Sequence, residues 1–200
     1  MSALSQGDRI MMNTERFLQN LFEGYVRTFS SFRWYTSANN ADLTAKELNH
    51  FSELGERLGY IVRREMNWHY PRDLCWVDFD DTPFLYLERE SKNSRMNHTV
   101  EKMLNQENSD GIPIMVASFG HLTEDSFAKA SEMFRHGIRD KQSALLYAWV
   151  GKNENAPEYE IRANVFTNGN CSSAKAIPTM TNEEAPYWSM RFLGGSDIWN

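Results

Sequence analysis

Charged residues alternate at the end of one very apolar segment. Residues 84–87 (FLYL) run directly into residues 88–92 (ERESK). In a β-strand, side chains two positions apart share a face, so Glu88, Glu90 and Lys92 would project together. A buried charge without a partner costs several kcal/mol. The strand therefore either ends in solvent at this point, or its charges bind a partner such as a cation.

The position of Asp73 favours a cation over a solvated strand end. Asp73 begins a strand-like segment at 73–79, and a turn-rich tetrapeptide at 80–83 joins this segment to the strand at 84–90. A hairpin with its turn there brings Asp73 alongside the end of the second strand. The carboxylates of Asp73, Glu88 and Glu90 can then converge on one hard cation, and Mg²⁺ prefers oxygen ligands. The sequence therefore predicts a divalent-cation site.

These residues resemble the motif of the PD-(D/E)XK nuclease-like superfamily of restriction endonucleases and DNA-repair nucleases. That motif has an Asp at a strand start, then an acidic residue, one further residue, and Lys or sometimes Glu on the next hairpin strand. The segment Pro71-Arg72-Asp73 resembles its first half. The second half matches in two registers, Glu88-x-Glu90 and Glu90-x-Lys92, and both stay open.

The order of elements over residues 45–120 is also similar to that superfamily. It comprises a helix with an acidic residue, Glu53 or Glu56, then a strand, the acidic hairpin, a helix and a further strand. The resemblance implies a restriction endonuclease-like core within a single domain spanning 1–200. A helical extension at 1–40 and a strand-rich extension at 140–200 would flank that core.

The resemblance further implies a nuclease-like phosphodiesterase in repair or defence, with Mg²⁺ or Mn²⁺ as cofactor; it favours DNA over RNA as the substrate, and the sequence leaves that choice open. Asp73, Glu88 and Glu90 would hold the ion, and Glu56 would support it or bind a second one. Lys92, or Glu90 in the other register, would orient the attacking water. The alternative is a non-catalytic nuclease-like fold that serves as an interaction or scaffold module.

Composition narrows the class of protein. The chain has 200 residues, of which 41% are hydrophobic, and this is enough for one domain with a substantial core. Its formal net charge of −6 argues against a protein that coats nucleic acid non-specifically. A local basic groove is compatible with that charge. The acidity also favours the scaffold alternative.

Two absences bear on the location of the protein. No apolar run approaches the roughly 20 residues that a membrane-spanning helix needs. The N-terminal sequence lacks the pattern of a secretory signal. We therefore expect a cytoplasmic protein without a membrane partner, and a homodimer or a partner protein is compatible with the sequence.

The pattern of apolar residues predicts an α/β protein, with a mixed central β-sheet flanked by helices. Residues 167–186 are rich in Asn, Ser, Thr and Pro and predict a long loop, with Asn168-Gly169 as a turn. The predicted helices span 14–30, 42–58, 95–106 and 123–136. The predicted strands span 60–66, 73–79, 84–90, 112–118, 144–150, 159–165 and 187–192.

Overall fold

The computed structural model describes residues 13–28, 40–64, 73–105, 113–151, 160–167, 169–180, 188–193 and 197–200. The helices in these ranges are α1 (Thr14–Thr28), α2 (Asn40–Arg57), α3 (Met96–Leu104) and α4 (Glu124–Gly137). The strands are β1 (Ile61–Arg64), β2 (Leu74–Val77), β3 (Pro83–Glu90), β4 (Ile114–Leu122), β5 (Ser143–Val150), β6 (Glu160–Thr167), β7 (Asn170–Met180) and β8 (Trp188–Phe192). None of the described helices is long and apolar enough to cross a membrane.

All eight strands form one mixed sheet in which neighbours in space are neighbours along the chain. The first three strands pair antiparallel, β3, β4 and β5 pair parallel, and β5 through β8 pair antiparallel. Parallel neighbours need a crossover connection. The crossover from β3 to β4 contains α3, and the crossover from β4 to β5 contains α4. The predicted α/β class, with a mixed sheet and flanking helices, is confirmed.

Helices cover both faces of this sheet. Helices α1 and α2 pack on the face that carries Leu85 and Leu87 of β3. Helices α3 and α4 pack on the opposite face, which carries Tyr86. Both faces of the central strands are therefore buried, which is why β5 is apolar from Ala144 to Val150 and all its residues are buried.

Local sequence signals account for several element ends. The Asn13 side chain caps α1 by accepting a hydrogen bond from the Arg16 N–H at 3.0 Å, and Thr123 caps α4 through the Ser126 N–H at 3.2 Å. Gly169 adopts a φ of 82° in the hairpin turn between β6 and β7, as the Asn-Gly pair predicts.

The predicted loop at 167–186 is wrong over most of its length, because residues 170–180 form the strand β7. From Asn170 to Ala176 its side chains are small except for Lys175, so the local apolar pattern that predicts a strand is weak. Pairing with a neighbouring strand makes this segment a strand instead. Residues Asn170 to Ala176 of β7 pair with β6, and Ala174 and Ala176 are buried. Pro178 lies beyond that stretch, where β7 pairs with β8. Residues 181–187 lie outside the described ranges.

Candidate functional site

The turn between β2 and β3 sets the register that places Asp73. The Asp78 carboxylate accepts hydrogen bonds from the N–H groups of Asp80 at 3.3 Å and Thr82 at 2.9 Å, which closes the turn. Leu74 then pairs with Leu87, so Asp73 lies next to Glu88 across the two strands. The Arg89 N–H donates to Asp73 Oδ2 at 2.7 Å and holds this carboxylate in place.

Glu88 is a buried carboxylate, with 5% of its surface exposed. The Tyr86 hydroxyl, two positions earlier on the same face of β3, donates to Glu88 Oε1 at 2.6 Å. The Lys102 ammonium of α3 donates to the same oxygen at 2.7 Å. Glu88 therefore has both a neutral donor and a positive charge that stabilise its ionised form.

Asp73, Glu88 and Glu90 line one cleft of about 350 Å³ at the end of β3. A second wall comes from His98, Thr99 and Lys102 of α3 and from Arg95, which directly precedes this helix. The apolar residues of α3 point into the core instead. One cleft thus has a wall of carboxylates and a wall with Arg95, His98 and Lys102.

Burial raises the pKa of both Asp73 and Glu88, because a carboxylate loses solvation there. The Arg89 N–H and the Lys102 charge oppose the rise at Asp73, and the bonds from Lys102 and Tyr86 oppose it at Glu88. The negative charge of Glu90 raises the pKa of Asp73 further, and that of Asp73 raises the pKa of Glu88. A bound cation would relieve this repulsion.

Of the other predicted site residues, Glu90 lines the cleft and Lys92 does not. Glu90 lines the cleft, but its Oε1 accepts the Lys92 N–H at 2.8 Å, which ties it to the turn after β3. The Lys92 side chain is exposed and is not among the residues that line the cleft. Pro71 and Arg72 of the motif lie outside the described residues.

The structure does not bring Glu56 to this cleft. Thr44 is the α2 residue that lines it, and Glu56 is exposed twelve residues later, about 18 Å along the helix axis. Glu53 is also exposed and pairs with Arg57 at 3.7 Å. Among the α2 carboxylates whose burial the structure describes, Glu47 is the buried one, and it lies on the opposite face of β3 against Arg89.

Two carboxylates offer oxygens that suit a divalent ion. Within the described residues, the hydrogen bonds to this pair end on Asp73 Oδ2 and Glu88 Oε1, so one oxygen of each carboxylate is left for another ligand. Mg²⁺ commonly binds proteins through one or two carboxylates and keeps several waters. No group of three His, Cys, Asp or Glu side chains in the described part of the chain stands close enough to hold a metal. The arrangement fits an ion held by Asp73 and Glu88.

Sequence reasoning missed Lys102 and Arg95. A signal was present, because basic residues at 95 and 102 lie two helical turns apart on a helix that directly follows the acidic hairpin. Glu47 was missed as well. A signal was present here too, because Glu47 lies four residues from both Leu43 and Phe51 and so shares the apolar face of the helix, unlike Glu53 and Glu56.

Comparisons with known proteins give no family. No protein-family model matches the chain, and no curated protein does. A solved structure, the YaeQ protein from Xanthomonas axonopodis pv. citri, is similar at 8% identity over 78% of this chain and 84% of that chain, with a TM-score of 0.28. A likeness this weak supports neither a fold family nor a function.

Proposed function

We propose that the cleft at the end of β3 is the site of a Mg²⁺- or Mn²⁺-dependent phosphodiesterase that acts on DNA. One observation carries this proposal: Asp73 and Glu88 line a cleft of about 350 Å³ together with the basic side chains of Arg95, His98 and Lys102. Paired carboxylates suit a divalent cation, and basic groups a few ångströms away suit the phosphate that the cation would activate. DNA is the substrate that the motif resemblance implies.

The acidic wall would hold the ion. Asp73 and Glu88 would bind it through the carboxylate oxygens that the protein's own donors leave open. When bound, the ion would polarise a phosphodiester oxygen and lower the pKa of a bound water. The position of Glu88 beside Asp73 supports the Glu88-x-Glu90 register over the Glu90-x-Lys92 register.

The basic wall would hold the phosphodiester. The Lys102 ammonium lies at the boundary of the two walls, so it can balance the charge of Glu88 and attract a phosphate oxygen. Arg95 is exposed at the mouth of the cleft and would contact a neighbouring phosphate, because its guanidinium matches the geometry of phosphate oxygens. Lys102 would take the role that the motif resemblance assigns to Lys92.

The test is divalent-dependent cleavage of single- and double-stranded DNA and of RNA. We expect Asp73→Asn and Glu88→Gln to abolish cleavage, and Lys102→Met to lower it on the order of a hundredfold. Lys92→Met is the matched control, because it removes an exposed lysine outside the cleft and should leave turnover near that of wild type. Loss of activity in Lys92→Met but not in Lys102→Met would contradict the assignment.

A non-catalytic interaction or scaffold module is the second candidate. Its support is that Lys102 already balances the charge of Glu88 without a metal, and that no three-ligand group exists among the described residues. Binding to the native state should raise the melting temperature in millimolar Mn²⁺ if the cleft is a metal site, and Asp73→Asn should remove that rise while Glu56→Gln retains it. An unchanged melting temperature, together with no cleavage of any substrate, would favour the module.

A further inference from the structure

A second buried carboxylate lies behind the cleft, on the α1 and α2 face of the sheet. Glu47 is 2% exposed and accepts hydrogen bonds from four side chains. Arg89 Nε donates to Oε2 at 2.8 Å, and the Tyr25 hydroxyl donates to the same oxygen at 3.4 Å. The hydroxyls of Ser118 and Tyr147 donate to Oε1. Glu47 thereby connects α1, α2, β3, β4 and β5.

Arg89 connects this network to the cleft on the other face. Its guanidinium is buried against Glu47 and donates to the carbonyl oxygen of Glu90 through Nη1. It lies on Gly120, where an added Cβ would come within 2.8 Å of Nη2. Its backbone N–H donates to Oδ2 of Asp73, which lines the cleft, at 2.7 Å. One residue therefore touches the network with its side chain and the cleft with its backbone.

A contribution to stability alone does not explain the buried ion pair between Glu47 and Arg89. A buried ion pair must recover the cost of desolvating both charges, and well-packed apolar residues of similar volume often do as well or better. An apolar pair could fill the same space, but it could not hold the Glu90 carbonyl or fix the rotation of the backbone at residue 89. That rotation decides whether the Arg89 N–H meets Asp73.

We infer that Glu47 and Arg89 are positioning residues, which lock the end of β3 so that Asp73 and Glu88 stand side by side in the cleft. The geometric part of this inference concerns the Arg89 N–H and Asp73 alone. Its catalytic consequence rests on the proposed function. Carboxylates that share a cation must keep a fixed separation, and a displacement of about 1 Å can cost on the order of a hundredfold in rate.

The test uses the double variant Glu47→Gln/Arg89→Met. It leaves no unpaired charge, and the amide oxygen introduced at position 47 can still accept from the Ser118 and Tyr147 hydroxyls. Hydrogen exchange then reports on the backbone, in metal-free buffer. We expect the amide of residue 89 to exchange at least about tenfold faster than in wild type, whereas the amides of Leu85 and Leu87 exchange as before, because only the strand end loses its anchor. DNA cleavage should fall on the order of tenfold to a hundredfold.

Two further variants keep the test decisive. Val165→Ala removes packing from the same core face, on β6 and away from the cleft. It should leave both the amide exchange at residue 89 and the rate of DNA cleavage by the folded protein at their wild-type values. If the double variant does not fold, Arg89→Lys replaces it, because it retains the charge beside Glu47 but loses the rigid fork that also reaches Glu90.

The outcomes separate this inference from the proposed function. Wild-type exchange at residue 89 in a folded double variant would overturn the inference, and so would faster exchange with full cleavage. A wild-type protein that cleaves nothing would refute the proposed function, and the exchange at residue 89 would then decide the geometric part by itself.

Discussion

Glu88 and Glu47 are both buried carboxylates, yet their partners suit them to different tasks. Glu47 receives four donors, which share its two oxygens and satisfy it completely. Glu88 receives two donors on one oxygen and sits at the wall of a cleft. A carboxylate with all its donors inside the protein serves the fold. One with an oxygen left over, close to another carboxylate, is suited to an external cation.

The raised pKa of Asp73 leads to a prediction about stability and pH. An acid whose pKa is higher in the folded protein than in the unfolded chain weakens folding once it ionises. This loss therefore develops as the pH rises from the unfolded pKa through the raised folded one. Asp73→Asn removes the charge, and the amide oxygen can still accept the Arg89 N–H. In metal-free buffer, the free energy of unfolding of Asp73→Asn relative to wild type should therefore rise as the pH increases from the pKa of an unfolded Asp, about 4, and level off above the raised folded pKa.

Urea unfolding of both proteins at several pH values measures this difference. Glu56→Gln is the control, because Glu56 is exposed and should show no such trend. A difference that stays constant across the pH range would mean that the Asp73 carboxylate is not destabilised by its position.

Helix α3 and the hairpin of β2 and β3 form the cleft together, and each uses one face for the core and the other for the site. Tyr86 belongs to the core beneath α3, and Glu88 follows it on the same face at the strand end. The opposite face of β2 is anchored by Trp76, whose indole N–H donates to the Phe51 carbonyl of α2 at 3.1 Å. The hairpin is thus fixed between α2 and α3, which keeps Asp73 beside Glu88.

The contact between α2 and Trp76 depends on a glycine. A Cβ at Gly55 would lie 2.6 Å from Trp76 Nε1, whereas a Cβ at Gly24 in α1 would meet nothing within 4 Å. We expect Gly55→Ala to destabilise the protein by about 1–3 kcal/mol through overpacking. Gly24→Ala should stabilise it by about 0.5–1 kcal/mol, because alanine is the better helix former. Chemical denaturation of both variants measures these changes, and equal effects would contradict the close packing of α2 on β2.

The charge of the whole chain works against binding of nucleic acid, whereas under the proposed function the basic side chains of the cleft would attract its phosphates. The net charge of −6 repels a polyanion at long range, so binding must come from the short-range contacts of a few basic side chains such as Arg95 and Lys102. DNA affinity should consequently be modest and depend on salt through a small number of released counterions.

Salt titrations of DNA binding test this contribution. Removing one phosphate contact should reduce the slope of log affinity against log salt by about 1. We expect that change in Arg95→Met, measured by fluorescence anisotropy with a labelled oligonucleotide in Ca²⁺ in place of Mg²⁺. Arg57→Met is the matched control, because it removes a positive charge from α2 away from the cleft. Equal slopes for wild type and Arg95→Met would place the phosphate contacts elsewhere.

The sequence by itself determined most of the elements and the faces of their strands. Helical and alternating periodicity, the Asn13 and Thr123 caps and the aspartate-rich turn are local features, and each depends on residues a few positions apart. They sufficed to predict the α/β class and the hairpin that sets Asp73 beside Glu88. They did not suffice for β7, whose small side chains carry little pattern.

Only the tertiary structure decided which side chains meet. It placed Lys102 rather than Lys92 against Glu88, and it buried Glu47 rather than Glu56. Helical spacing places Glu47 on the apolar face of α2 with Leu43 and Phe51, but its four hydrogen-bond donors come from elements that only packing brings together. Partners such as Glu47 and Arg89 lie 42 positions apart, and their contact exists only once α2 and β3 have packed. Periodicity reports the face on which a residue lies, whereas its partner is set by packing between distant segments.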